Sequence, residues 1–133
     1  MQYFFDLVIK SKEIILNFIT IGAISGCVVV ILGAFGAHSL KDVLDSYSKS
    51  LYEKAVLYQM FHTLGILIIA IIEKALPEVQ LQLVSWAFLL GIIFFSGSLY
   101  ILAITGAKWL GMITPIGGVL FIYGWVVLLY KIY

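Results

Sequence analysis

Four long stretches without a charged residue constrain this chain more than any other feature of its sequence. They cover residues 14–37, 55–72, 81–107 and 109–130, which is 24, 18, 27 and 22 residues. A helix that crosses a bilayer needs about 20 mostly apolar residues. Three stretches reach that length alone, and the second reaches it if its helix begins earlier, near residues 48–54. None alternates with the period of two that is typical of barrel strands, so we predict four spanning α-helices.

Composition agrees with lipid as the solvent of this chain. Of 133 residues, 63% are apolar and 11% are charged, whereas a soluble domain has about 25% charged residues. The net charge is +1, and all eight basic residues are lysines, so we expect no nucleic-acid partner. Cys27 is the single cysteine and lies in an apolar run, where it is interpreted as a packing residue. No metal or cofactor spacing is present, and neither is predicted.

The predicted architecture is an all-α membrane protein, an antiparallel bundle of four transmembrane helices forming one domain over residues 14–133. The spans are predicted at about 14–37, 50–73, 81–105 and 109–130. Residues 1–13 form either an interfacial lead-in or an extension of the first helix. Ser39 and Asp42 have the spacing of a capping box, which predicts a short interfacial helix between the first two spans. Residues 73–80, with Pro77, are predicted to form a tight turn.

Small residues recur at helical spacing in three of the four spans. Membrane helices rely on small residues for close approach, because lipid supplies no hydrophobic drive between them. We therefore predict a tight bundle, with a homo-oligomer contact as a further use of these faces. The predicted packing glycines are Gly22, Gly26, Gly33, Gly36, Gly91, Gly97, Gly117 and Gly118.

Pro115 allows two interpretations of the fourth span. The helix either kinks at Pro115, or starts there with Thr114 as its cap and Pro115 at its first position. The second alternative leaves a short span of about 16 residues, so we favour the kink.

The candidate polar site lies mainly on the second span. Gln59 and His62 share a helical face, and Tyr58 is four residues from His62. Buried polar groups in a membrane need partners, so these residues form either an interhelical hydrogen-bond cluster or a small proton-, metal- or ligand-binding site. We favour the cluster. His38, Ser96 and Ser98 are the other candidate members.

No carboxylate is expected inside any of the spans, which argues against a carboxylate proton relay. No nucleophile–base order or phosphate-binding loop is present either. The sequence therefore predicts a protein that is not an enzyme and has no catalytic residue.

Several motifs together resemble a known family. They are GAFGAH at 33–38, YQ at 58–59 with His62, FSGSLY at 95–100, TG at 105–106 and ITPIGG at 113–118 with Trp125. Over about Gly22 to Trp125 the chain resembles the domain of unknown function 423 family, the YgdD/YwdK-like bacterial membrane proteins, which are also similar to transmembrane protein 256. The resemblance implies four helices and a bacterial plasma-membrane location, and carries over no catalytic residue.

Two functions remain as hypotheses. The first is a non-enzymatic protein that acts by helix packing or partner contact, as a scaffold or in membrane integrity. The second is a small transporter, channel or ligand-binding protein that uses Tyr58, Gln59 and His62; it predicts a polar, water-accessible cavity between the first three helices. Orientation stays open because the lysines divide equally between the two sides: Lys10, Lys12, Lys74 and Lys131 on one, and Lys41, Lys49, Lys54 and Lys108 on the other.

Overall fold

The described part of the chain is built from helices. A computed structural model describes residues 2–76 and 78–132, and for residues 2–12 and 16 it describes the backbone only. The elements are α1 (Gln2–His38), α2 (Ser46–Ala75), α3 (Gln82–Gly91), a π-helical segment (Ile92–Gly97), α4 (Ser98–Thr105), a 3-10 helix (Lys108–Met112) and α5 (Thr114–Ile132).

Four helical stretches are long and apolar enough to cross a membrane. They are Glu13–His38, Ser46–Ala75, Gln82–Thr105 and Lys108–Ile132. The prediction of an all-α, four-span membrane protein is confirmed. The second span begins at Ser46, before the predicted start near residue 50, and is therefore longer than its uncharged stretch.

The segment between α1 and α2 corrects one expectation. No helix forms over residues 39–45; the amide of Ser39 donates to Phe35 O at 2.9 Å, which continues the end of α1. Ser39 therefore does not cap a new helix. The N-cap of α2 is instead Asp45, whose Oδ1 accepts from the amide of Ser48 at 2.7 Å. Between these two ends there is room only for a hydrogen-bonded turn, in which the amide of Leu44 donates to Leu40 O at 3.1 Å.

The structure also bears on the N-terminal segment and on the turn after α2. The backbone of α1 is helical from Gln2, as in the helix-extension alternative, while the side chains that would place residues 1–12 in an interface lie outside the described residues. The turn after α2 is shorter than residues 73–80, because α2 continues to Ala75 and α3 begins at Gln82. Pro77 lies outside the described residues.

The third and fourth spans each change helical geometry along their length. The third passes from α to π geometry at Ile92 and back to α at Ser98. The fourth starts as a 3-10 helix and becomes α-helical at Thr114, so Pro115 lies in the first turn of α5, where a missing N–H costs little. In place of the kinked single helix that the sequence favoured, the structure has two helical segments joined at Ile113.

The helices are arranged around α2 and the third span. α1 packs mainly on α2, while α2 also packs on α3, the π segment and α4. α5 packs on α3 and the π segment. Thus α1 and α5 flank a central pair, and their outer faces are free for lipid.

Most of the predicted packing glycines lie where helices meet. A Cβ at Gly22 or Gly36 would lie closer than 3.0 Å to Leu67 or Tyr52 of α2, and one at Gly91 would meet the ring of Phe121. At Gly26, Gly33 and Gly118 the nearest neighbours lie at ordinary distances of 3.6–3.9 Å. A Cβ at Gly97 would meet only Ile92 O, at 4.0 Å, so Gly97 makes no close helix–helix approach.

Gly117 is the most restrictive of these positions. A Cβ there would lie closer than 3.0 Å to the backbone of Phe95 in the π segment, and a backbone cannot rotate away as a side chain can. We expect Gly117→Ala to lower the free energy of unfolding in detergent micelles by about 1–3 kcal/mol through overpacking. Gly118→Ala is the matched control, because its Cβ would meet the Phe95 ring only at 3.8 Å. Equal effects of the two changes would contradict the assigned packing.

Asp45 makes the start of α2 sensitive to pH. Its hydrogen bond from the Ser48 amide lowers the pKa of the carboxyl below its ordinary value of 3.8. A depressed pKa means that the charged cap stabilises the fold above pH 3.8 and loses this effect as pH falls through the lower folded value. Asp45→Ala should therefore lower the thermal midpoint at neutral pH, and the difference should shrink as the solution is acidified below that range.

Circular dichroism in detergent measures the thermal midpoints of the variant and of the unaltered protein, at neutral pH and at a pH below the folded pKa of Asp45. Asp42→Ala is the control, because Asp42 is exposed in the same turn and makes no side-chain hydrogen bond among the described residues. A loss of stability in Asp45→Ala that is the same at both pH values would refute a role for the charged cap.

Candidate functional site: a polar network inside the bundle

Gln59 joins α2 to the third span and to α1. The side chain is only 4% exposed. Its Oε1 accepts from the hydroxyl of Tyr100 in α4 at 2.9 Å, and its Nε2 donates at longer range to Ser25 O of α1 at 3.4 Å. The amide thus has partners for both its oxygen and its nitrogen in two different helices.

Two more polar contacts hold α1 against α2. The hydroxyls of Ser25 and Thr63 lie 2.6 Å apart. Two turns before Gln59 along α2, the Tyr52 hydroxyl donates to Leu32 O at 2.8 Å, and the ring of Tyr52 meets that of Tyr100 edge-on at a centroid distance of 4.9 Å. Together with Gln59, these contacts form a continuous polar seam across α1, α2 and α4.

His62 joins α2 to α5, and its partners define its protonation state. Nδ1 lies 2.9 Å from Tyr58 O, and Nε2 lies 3.3 Å from Nε1 of Trp125. A carbonyl can only accept and an indole N–H can only donate. The ring is therefore the neutral Nδ1–H tautomer, and a proton added at Nε2 would face another donor.

Aromatic rings enclose this histidine. The Phe121 ring stacks on it at 3.5 Å between centroids and 8° between planes, and Phe88 meets it edge-on at 5.1 Å. His62 is 3% exposed. Tyr58, by contrast, is 40% exposed and packs its ring on Phe95 at 4.4 Å, so it contributes a backbone carbonyl rather than its hydroxyl to the site.

The two predicted serines differ. Ser98 Oγ donates to Phe95 O at 3.0 Å and lies 2.8 Å from Thr114 Oγ1, which joins α4 to the start of α5. Ser96 is fully buried in the π segment, and its hydroxyl has no hydrogen-bond partner among the described residues. Among the described residues, neither hydroxyl is hydrogen-bonded to a histidine or a carboxylate.

His38 does not belong to the cluster. It is exposed at the end of α1, where Gly36 lies against Tyr52. His62 is ten residues further along α2, about 15 Å at 1.5 Å per residue. The structure therefore separates the two histidines, and only His62 is a member of the buried network.

Glu73 is a buried carboxylate within the second span, so the expectation that no span contains a carboxylate is wrong. It lies within α2, is 1% exposed, and accepts from the amide of Leu81 just before α3. Its Oε2 has no partner among the described residues. The signal was present in the helical stripe, since Gln59, His62, Ile66, Ile69 and Glu73 are spaced 3, 4, 3 and 4. It was missed because Glu73 adjoins the polar turn.

Most polar atoms of this network have hydrogen-bond partners within the protein. The polar atoms of Gln59 and His62 are all hydrogen-bonded to protein, and among the described residues no group of three or more His, Cys, Asp or Glu could hold a metal ion. The arrangement favours holding helices in register over binding a solute.

The fold and this closed network define a class: small, multi-pass, all-helical integral membrane proteins. Within that class, residues 32–118 match the model of the protein family of unknown function DUF423, and the chain belongs to that family. The resemblance inferred from the motifs is thereby confirmed.

Several bacterial membrane proteins align with this chain over most of its length and most of their own. A UPF0382 membrane protein of Staphylococcus epidermidis is 50% identical over 84% of this chain and 90% of its own. The UPF0382 membrane proteins of Haemophilus influenzae and Bacillus subtilis (YwdK) are 43% and 40% identical over 86% and 84% of this chain, and each is covered to 91%. These relatives are bacterial, so this is an integral protein of a bacterial plasma membrane. No solved structure matches the chain.

The Tyr100–Gln59 hydrogen bond allows a direct measurement of what the seam contributes. Tyr100→Phe keeps the ring against Tyr52 and removes one hydroxyl, so we expect the free energy of unfolding in micelles to fall by about 0.6–1.7 kcal/mol. Tyr123→Phe is the control, since Tyr123 is 46% exposed on α5 and makes no hydrogen bond in the described chain. A Tyr100→Phe protein as stable as the control would refute the bond.

Proposed function

We propose that this chain is a non-enzymatic membrane protein that acts through contacts of its outer helix faces with a second copy or another membrane protein. In this proposal, the buried polar network holds one arrangement of the bundle so that those faces are presented reproducibly. The observation that carries it is the complete engagement of Gln59 and His62 within the protein.

The uneven burial of the spans supports contact through α1. Within the first and fourth spans, 18% and 17% of the most apolar window is buried, against 44% and 50% for the second and third. α1 has an outward stripe of exposed aliphatic residues, among them Ile24 and Ile31. A flanking helix with this free face can accept a partner without disturbing the central pair.

The alternative is a transporter or ligand-binding site at Tyr58, Gln59 and His62, and the packing around His62 weighs against it. The predicted cavity would have to reach this side chain, but the rings of Phe88 and Phe121 pack against it. One groove among the described residues lies between α1 and α2, and His62 does not line it. We therefore favour the first hypothesis.

Cys27 provides a test, because it is the sole cysteine and is exposed on α1. A short maleimide photo-crosslinker attached to Cys27 in native membranes should give one discrete covalent adduct after illumination, either a dimer or a single heteromer. A clean monomer at every loading would overturn the proposal.

The matched control moves the cysteine to a different helix. The double change Cys27→Ser and Ile104→Cys places the crosslinker on α4 at a residue that is 54% exposed. We expect it to give no discrete adduct. The same products from both positions would indicate random collision and would count against α1 as the contact face.

A further inference from the structure

A groove of about 610 Å³ opens between the end of α1 and the start of α2. It exists because α1 carries small residues there: Gly33, Gly36 and Ala37 line it. Its back wall includes Tyr52, which is buried and held by its hydrogen bond to Leu32 O. The groove therefore lies between small residues of α1 and a buried, hydrogen-bonded tyrosine of α2.

Charged and apolar side chains are segregated along this groove. Lys41, Lys49, His38 and Glu53 line the part near the connecting turn, and all are exposed. Val56, Leu57 and Met60 line the part further along α2. Neither lysine forms a salt bridge within the described chain, although Lys49 and Glu53 are four residues apart.

The length of the groove matches the depth of a lipid. Lys49 and Met60 are eleven residues apart, about 16 Å along the helix axis. A bilayer leaflet has about 15 Å of hydrocarbon below its headgroups. If the lysines lie at headgroup level, this length places Met60 among the acyl chains.

We propose that this groove binds one anionic phospholipid from the surrounding bilayer, with phosphatidylglycerol chemistry. Lys41 and Lys49 contact the phosphate, Glu53 accepts from the headgroup hydroxyls, and an acyl chain packs along Val56, Leu57 and Met60. Basic residues between membrane helices at the headgroup level are typical of anionic lipid sites.

Each simpler ligand would leave part of the groove unused. A soluble anion would use the lysines but not the apolar half, and a neutral lipid would use the apolar half but leave two unpaired ammonium groups. Phosphatidylethanolamine would suit Glu53, but the lysines outnumber the carboxylate. This site is independent of the proposed α1 contact, because it faces α2 rather than outward from α1.

Native mass spectrometry of the detergent-solubilised full chain tests the proposal with four probes: dioleoyl phosphatidylglycerol, phosphatidylethanolamine and phosphatidylcholine, and inorganic phosphate. We expect one phosphatidylglycerol to bind at least tenfold more tightly than any other probe. The double variant Lys41→Gln and Lys49→Gln should bind it about 30-fold more weakly, since each basic residue near the surface contributes about fivefold.

Two matched controls separate the groove from bulk electrostatics and from packing. Lys54→Gln with Lys108→Gln removes the same charge on the same membrane side outside the groove, and should leave affinity unchanged. Ala37→Leu fills the groove and should weaken binding, whereas Ala34→Leu, at an exposed residue outside the lining, should not.

Equal binding of phosphatidylglycerol and phosphatidylcholine would overturn the proposal. So would preference for phosphatidylethanolamine, binding of phosphate as tight as that of the lipid, or an equal loss in the control lysine pair. The comparison of probes on the unaltered chain needs no variant, so it remains decisive even where a substitution impairs folding.

Discussion

A polar group in hydrocarbon must find its partner within the protein, and the structure depends on how α2 meets this requirement. α2 carries several buried side chains with hydrogen-bond partners in other elements, among them Gln59, His62 and Glu73. The hydrogen-bond partners of these three side chains lie in different parts of the chain: they are Tyr100 of α4, Trp125 of α5 and the amide of Leu81 before α3, respectively. Because water is excluded, a shift of α2 by one turn would leave several of these groups unpaired.

Glycines and aromatic rings allow the close approach that these short bonds need. Gly91 and Gly124 leave room for the rings of Phe121 and Phe88 across the α3–α5 contact. Those same rings enclose His62. Apolar packing and hydrogen bonding therefore depend on the same side chains, since the rings that pack against the glycines also exclude water from His62.

The interior and the edge of the bundle are suited to different tasks. Inside, hydrogen bonds of about 0.6–1.7 kcal/mol each select one register and leave little capacity for a ligand. At the end of α1, the same lack of side chains that brings Gly36 against Tyr52 leaves a groove with unpaired lysines at its mouth. The binding site that we propose therefore lies at the end of the bundle rather than around His62.

The sequence by itself determined the four spans, because backbone satisfaction in lipid leaves an uncharged stretch of some 20 residues no choice but a helix. It also identified the polar face of α2 and the glycines Gly22, Gly36, Gly91 and Gly117, since helical periodicity places them. Local patterns were less informative where two nearby residues could each cap a helix. The amide of Ser39 remains hydrogen-bonded to α1, and Asp45 caps α2 instead.

Only the tertiary structure decided which helix supplies the hydrogen-bond partner of each buried polar group. It separated His38 from His62, brought Tyr100 and Trp125 into the network, and buried Glu73 next to a polar turn. It also produced the π segment opposite Gly117 and the 3-10 start of the fourth span. These outcomes depend on contacts between residues far apart in the chain, and such contacts leave no periodic trace in the sequence of either partner.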